Sequence, residues 1–333
     1  MSESPTGGTI DQISELFGQL PSWGKVAVAG TAAVVAYVPY RYWTSRPRPS
    51  PFKSDWQQGI VYLYQYPRSK QYPNASPYCL KLETWLRIAD IAYEVPEAPI
   101  SIRSKEGTLP FVELDGVEYH DSNFAIERLT RELNKEHLEE HLSDETKAVT
   151  RAFEIMAEKS LIFSEFASRV DHIDKIIDSM DPTALGYVGL ILKSSIVRGF
   201  TTALSRRVAT SDFGRHTKEE RIAIGLDDIR AFSKYLGNKH YFTGFKPTKI
   251  DATIFGVLAT IVYAPYESAH LDVLKSECPN LLEFVERVKT RYWPDWNEIT
   301  STFARNSNWK RKPKSLSNKS SPTSSLASPL GRK

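Results

Sequence analysis

Cysteine is scarce. Cys79 and Cys278 are the two in 333 residues, too few for a disulfide scaffold or a thiolate zinc site. A low count fits a reducing compartment. No glycine-rich phosphate loop is present, and the body of the chain has no Arg/Lys cluster interleaved with aromatics. Nucleotide and nucleic-acid binding are thereby disfavoured. Acid is missing from one stretch in particular. Residues 310–333 hold Lys310, Arg311, Lys312, Lys314, Lys319, Arg332 and Lys333, with no Asp or Glu. The whole chain carries +3, so without this tail the remainder is mildly acidic. What remains is ordinary: 41% hydrophobic and 25% charged, which excludes collagen, coiled coil and wholesale disorder. At roughly 100–200 residues per domain, the length allows two domains or one large one with a real core.

Long apolar runs are also few. The one of note is Val26–Tyr40, uncharged throughout and flanked by Trp23 and Lys25 on one side and Arg41 and Trp43 on the other. Twenty helical steps from Trp23 to Trp43 cover ~30 Å, the thickness of a bilayer core. Terminal aromatics and snorkelling cations suit two interfaces. The expectation is a transmembrane helix over 23–43; an amphipathic or core helix is the alternative. Glu3, Asp11 and Glu15 precede the run, which argues against a secretory signal. Arg41, Arg46, Arg48 and Lys53 follow it without an acid. The positive-inside bias then puts everything after it in the cytosol. That predicts a single-pass protein, in the mitochondrial outer membrane or endoplasmic reticulum alike. The sequons at Asn74 and Asn318 would then stay unmodified. Residues 1–22 form an N-terminal segment, 44–58 a proline-rich linker, and 310–333 a disordered Ser/Pro/Lys tail.

Between these ends, 60–66 (IVYLYQY) reads as a strand. Ser76-Pro77 opens a helix with a favoured N-cap and a proline at the first position. Cys79, Leu82, Leu86 and Ala89 make its apolar face. Residues 91–96 give a second strand. Phe111–Leu114 and Val117–Tyr119 form a hairpin about Asp115-Gly116, and Asp121-Ser122 caps another helix. The Leu109-Pro110 bond is expected to be cis. Beyond 143 strand signals almost vanish, and helical patterns cover 144–174, 183–209, 216–237, 248–264 and 279–291. Thr248 and Asp251 form a capping box with Asp in place of Glu.

The order strand, helix, strand, loop with proline, hairpin, helix resembles the thioredoxin-like half of glutathione transferases. More narrowly, the chain is similar to the failed axon connections family, which groups with metaxins and cadmium-responsive proteins. The residues that carry this are Ser76–Arg87 (SPYCLKLETWLR), Gly107–Phe111 (GTLPF), Gly214–Glu220 (GRHTKEE), Tyr241–Phe255, and Pro279–Leu281 with Arg291–Pro294. The similarity covers about 58–296. Phe245 departs from it, standing where relatives usually have a small acidic residue. The resemblance implies an α/β thioredoxin-like domain over 59–136 and an all-α domain over 137–309, the glutathione S-transferase fold.

It also implies a site. Ser76 occupies the place that stabilises the glutathione thiolate, which would make it the catalytic residue; its plainer role is an N-cap. Leu109, with Pro110, would pair with the peptide part of glutathione. Asp121 and Ser122 stand where the γ-glutamyl group is held, with Asp one methylene short of the usual Glu or Gln. Cys79 lacks a partner thiol in its motif because Ser76 stands in place of the first cysteine, so it serves packing or a one-cysteine role. His137-Leu138-Glu139-Glu140-His141 has a metalloprotease spacing, but sits in a charged connection without a third ligand and reads as a solvated face; no metal is expected. Two functions stay open: a membrane-anchored adaptor with weak or no catalysis, tied by resemblance to axon development or metal stress, and a glutathione-dependent transferase using Ser76. Expected partners are the membrane through 23–43, glutathione and other proteins, and no nucleic acid.

Overall fold

The computed structural model describes residues 17–44, 50–184, 186 and 192–306. The tail 310–333, Asn318 and part of the 44–58 linker lie outside them. The chain divides into a segment ending at Phe52 and a body from Lys53 onward. In the segment, α1 (Ser22–Thr44) is a 23-residue helix. Its Trp23, Val26, Val28, Val34, Val35 and Tyr37 are exposed. The expected transmembrane helix over 23–43 is corrected on this point: among the described residues no helix is long and apolar enough to cross a membrane. The physical reason is composition. Much of α1 is Ala, Gly and Thr, which contribute little transfer free energy, and Lys25 and Arg41 lie within its ends.

In the body, a four-stranded sheet has the order β2-β1-β3-β4. The strands are β1 (Val61–Tyr64), β2 (Tyr93–Glu94), β3 (Phe111–Leu114) and β4 (Val117–His120). β1 and β3 are buried along their whole length, as central strands must be. β1 pairs with β2 in parallel, Val61 opposite Tyr93. Parallel neighbours need a crossover, which α2 (Pro77–Ile88) supplies. β3 runs antiparallel to β1 and to β4. Asp115 and Gly116 turn the hairpin with φ of 51° and 80°, the paired positive values that a tight two-residue turn requires. The Leu109-Pro110 bond is cis.

α2 is buried on both sides. Leu82, Trp85, Leu86 and Ala89 pack on the sheet with Val61, Leu63, Val112 and Leu114. Leu80 joins the helical core with Ile254 and Phe255. Its polar residues are buried too: Lys81, Glu83 and Arg87 each find a charged partner, and Thr84 Oγ1 accepts from the Trp293 indole N–H at 3.1 Å. Arg68 donates to both Glu83 oxygens at 2.7 and 2.8 Å. Arg87 donates to both Asp295 oxygens at 2.6 and 3.0 Å. Burial would raise the Glu83 carboxyl, but Arg68 and Arg87 hold it below the ordinary carboxylate value. Arg68 also donates to the carbonyls of Ala304 and Arg305 at 3.2 and 2.8 Å. Asn306 bonds Val95 through both ends of its amide, at 2.7 and 3.2 Å. Residues 304–306 therefore strap the edge beside β2.

The helical half follows α3 (Ser122–Glu132). The expected 144–174 helix is interrupted: α4 (Asp144–Met156), a π-turn at Ala157–Leu161, α5 (Ile162–Arg169), a 3₁₀ turn, then α6 (Ile173–Ser179). Next come α7 (Lys193–Ala209), α8 (Lys218–Leu236), α9 (Lys249–Val262), α10 (Ala269–Glu277), α11 (Pro279–Tyr292) and α12 (Trp296–Thr302). α9 is buried from Ile250 to Ile261. Each large apolar side chain so buried contributes about 1.5–3 kcal/mol. It crosses α2 at Gly256, where a Cβ would stand 2.7 Å from the Pro77 carbonyl oxygen and 2.9 Å from Lys81 N.

Candidate functional site: a cleft at the tips of α2 and α3

Thr108, Leu109 and Pro110 meet Asp121, Ser122 and Asn123 along one cleft of about 810 Å³, whose other side is built by α4, the π-turn and Arg207 of α7. The loop before β3 is shaped locally: Ser104 N donates to Thr108 O at 3.0 Å, and Thr108 N to Ser104 Oγ at 3.1 Å. Leu109 follows that turn. Among the described residues no hydrogen bond engages its N–H or C=O. Across the cleft, Asp121 caps α3 by accepting from Asn123 N at 2.8 Å and Phe124 N at 3.3 Å on one carboxylate oxygen. Its backbone sits at φ 59°, ψ 131°, a strained conformation for a residue with a Cβ. Ser122 starts the helix, with its N–H and hydroxyl unpartnered among the described residues. These groups match a peptide with a terminal amino acid. Leu109 can pair main chain to main chain. Ser122 at the positive helix end can hold a carboxylate, and the second Asp121 oxygen can take an ammonium.

Ser76 is placed differently. It caps α2, its Oγ accepting from Cys79 N at 3.4 Å and its own N–H donating to Asn74 Oδ1 at 3.0 Å. It is not among the residues that line the cleft; Tyr78, two residues on, is. Cys79 is fully buried, and burial pushes its thiol up to about 12, so it is an inert packing group. The Asn74 sequon is buried as well, its side chain donating to Tyr66 O at 2.8 Å.

Three residues escaped sequence reasoning, Asn123 and Glu158 on the cleft wall and Lys81 buried behind it. Lys81 Nζ lies 2.6 Å from Glu158 Oε1 and 2.5 Å from Asn123 Oδ1. Asn123 Nδ2 closes the triangle on Glu158 Oε2 at 2.6 Å. Burial lowers the Lys81 ammonium, while the carboxylate beside it keeps the pair matched. Glu158 reaches α2 because the π-turn rotates it inward; nothing in the sequence marks that turn. Of the His137–His141 motif, Glu136–Leu138 is a 3₁₀ turn rather than an α-helix, so the two-imidazole face does not form. Glu139 instead accepts from Lys249 N at 2.9 Å and caps α9. Among the described residues no group of three or more His, Cys, Asp or Glu is placed to hold a metal ion.

Residues 77–173 match the glutathione S-transferase N-terminal domain family. Residues 225–288 match the glutathione S-transferase C-terminal domain family. Failed axon connections of Drosophila melanogaster is 34% identical over 257 residues, 74% of this chain and 61% of that protein. The metaxin-1 homologue of Caenorhabditis briggsae is 42% identical over 66 residues, 20% of this chain and 21% of that one. The chain is a glutathione S-transferase-like protein of the failed axon connections and metaxin kind. The isoprene-epoxide–glutathione S-transferase of Rhodococcus sp. (strain AD45) is 27% identical over 246 residues, 70% of this chain and 99% of that enzyme. The chain thus spans 61% of failed axon connections and nearly the full length of the bacterial transferase.

Proposed function

We propose that this transferase-like body is a glutathione-binding adaptor with weak or no catalysis. The observation that carries the reading is the convergence on one cleft of the Leu109 main chain and the Ser122 N–H and hydroxyl, which have no partner among the described residues. Ser76, tied into the α2 cap and off the cleft wall, supports weak catalysis. The alternative is a glutathione-dependent transferase in which Ser76 stabilises the thiolate; kinship to the Rhodococcus enzyme favours it. Calorimetric titration with glutathione tests the reading. Removing one hydroxyl bond to a charged group costs about 1.5–3 kcal/mol, so Ser122→Ala is expected to weaken binding at least tenfold. Ser76→Ala is expected to bind as the parent does. Turnover of a chloroaromatic electrophile that disappears in a folded Ser76→Ala protein would establish the transferase instead.

Attachment to a membrane belongs to the same proposal, with the body in the cytosol at the mitochondrial outer membrane or endoplasmic reticulum. Support comes from the exposed apolar side chains of α1 and the cations that follow it. Deleting 1–43 is expected to move the protein to the soluble fraction; retention on membranes would refute attachment through α1. A role in axon development rests on the name of the Drosophila relative. Protein partners fit Phe245, whose ring is 85% exposed on the loop before α9.

A further inference from the structure

Beyond the Leu109 and Ser122 contacts, the cleft has an end that those groups leave free. It is marked by Tyr78 and Arg207, which touch, and Lys159 lines the same cleft. Arg207 projects from α7, and Lys159 from the π-turn. The Arg207 guanidinium lies 5.2 Å from the Tyr78 ring, 5.7 Å from Phe163 and 5.4 Å from Phe166. It donates to the Tyr78 hydroxyl at 3.3 Å. Aromatic faces thus hold it in place, and among the described residues no carboxylate pairs with it. Lys159 likewise has no ion pair among them. Two acids approach Tyr78, Glu158 and Asp121. Glu158 is answered by Lys81 and Asn123, and one Asp121 oxygen is taken by the α3 cap. The local balance is positive.

A γ-glutamyl group at Ser122 and a peptide at Leu109 would leave the sulfur of glutathione the remaining stretch of the cleft, which Tyr78 lines. Whatever sulfur carries then lies against Tyr78. We infer that this end is an anion subsite, in which Arg207 and Lys159 hold a carboxylate borne on the sulfur of a glutathione thioether. The inference deepens the glutathione reading and rests on it. A planar guanidinium suits a carboxylate because two parallel N–H bonds can form.

An isosteric pair of thioethers tests it. S-carboxymethylglutathione and S-carbamoylmethylglutathione differ in charge at one terminal group. In calorimetry on the full chain, the carboxymethyl compound is expected to bind about tenfold more tightly, from one charge-assisted contact. The advantage should shrink with added salt. Arg207→Gln with Lys159→Gln should abolish the difference and leave the carbamoylmethyl affinity unchanged. Both side chains are exposed, so the variant keeps its fold, checked by its thermal melt. Equal binding of the two compounds to the parent, or a preference that survives in the variant, overturns the subsite alone. Failure of both compounds to bind overturns the glutathione reading, and the subsite falls with it.

Discussion

Single side chains in this body carry consequences that exposure alone reveals. His270 is fully buried, with its Nε2 2.8 Å from Ser164 Oγ. Burial pulls its imidazole down to about 4 from 6.5. Above the unfolded value both states are neutral and its contribution to stability is complete. As pH falls from about 6.5 to about 4, the unfolded chain takes a proton that the folded one refuses, so stability drops. The loss approaches about 3 kcal/mol by pH 4 at 1.36 kcal/mol per unit. Urea unfolding of the parent and of His270→Gln should show the parent losing stability relative to the variant across that window; a constant difference would refute the assignment. Asp251 moves oppositely. Burial pushes its carboxyl up to about 7, against the pull of its bonds from Phe242 N and Thr248 N at 2.7 and 2.8 Å. The comparison of two proteins that both keep Asp251 cancels that effect. The Asp251 cap was legible because Thr-x-x-Asp before an apolar run names its own mechanism. The His270 environment was not, since an isolated histidine in sequence says nothing about the Gly225 and Ser164 against which it packs.

At the scale of elements, what could be read was whatever repeats over several turns or announces its own ends. α8, α9 and α11 lie within about two residues of their expected bounds, and α2 opens at the expected Pro77. They have caps, prolines at the first position and long apolar stripes. The short α10 and α12, of nine and seven residues, passed unnoticed. The second strand shrank to Tyr93–Glu94 because Asn306 supplies the bonding at Val95 that a longer strand would have made. Of the candidate site, the Leu109–Pro110 turn and the α3 tip were legible from local chemistry. The Lys81–Asn123–Glu158 triangle joins three distant stretches and was not. α2 and α9 touch through Gly256 because no side chain stands between them. Gly256→Val would drive methyls into the Pro77 carbonyl and Lys81 backbone. Overpacking of this kind costs about 1–3 kcal/mol, and at a backbone contact the upper end is expected. Chemical denaturation checks it; a shift below about 0.5 kcal/mol would mean that the crossing yields.

For the whole molecule, the sheet half and the helical half are joined by the buried Arg87–Asp295 and Lys81–Glu158 pairs and by the crossing of α9 over α2. The core clusters of the body begin at Val61. Removal of 1–52 is therefore expected to leave its thermal midpoint within about 2 °C of the full chain, which at this size is under roughly 1 kcal/mol. A larger drop would show that the segment up to Phe52 stabilises the body.

The Asn306 amide beside β2 acts as a one-residue substitute for a neighbouring strand. Were the chain cut after Phe303, the main chain at Val95 would lose that cover, and Arg68 would lose two of its acceptors. An uncovered margin of this kind recruits a like segment from another molecule. A nick only a few residues before the basic tail should therefore show up as concentration-dependent self-association while the helices stay folded, and light scattering alongside circular dichroism would detect it.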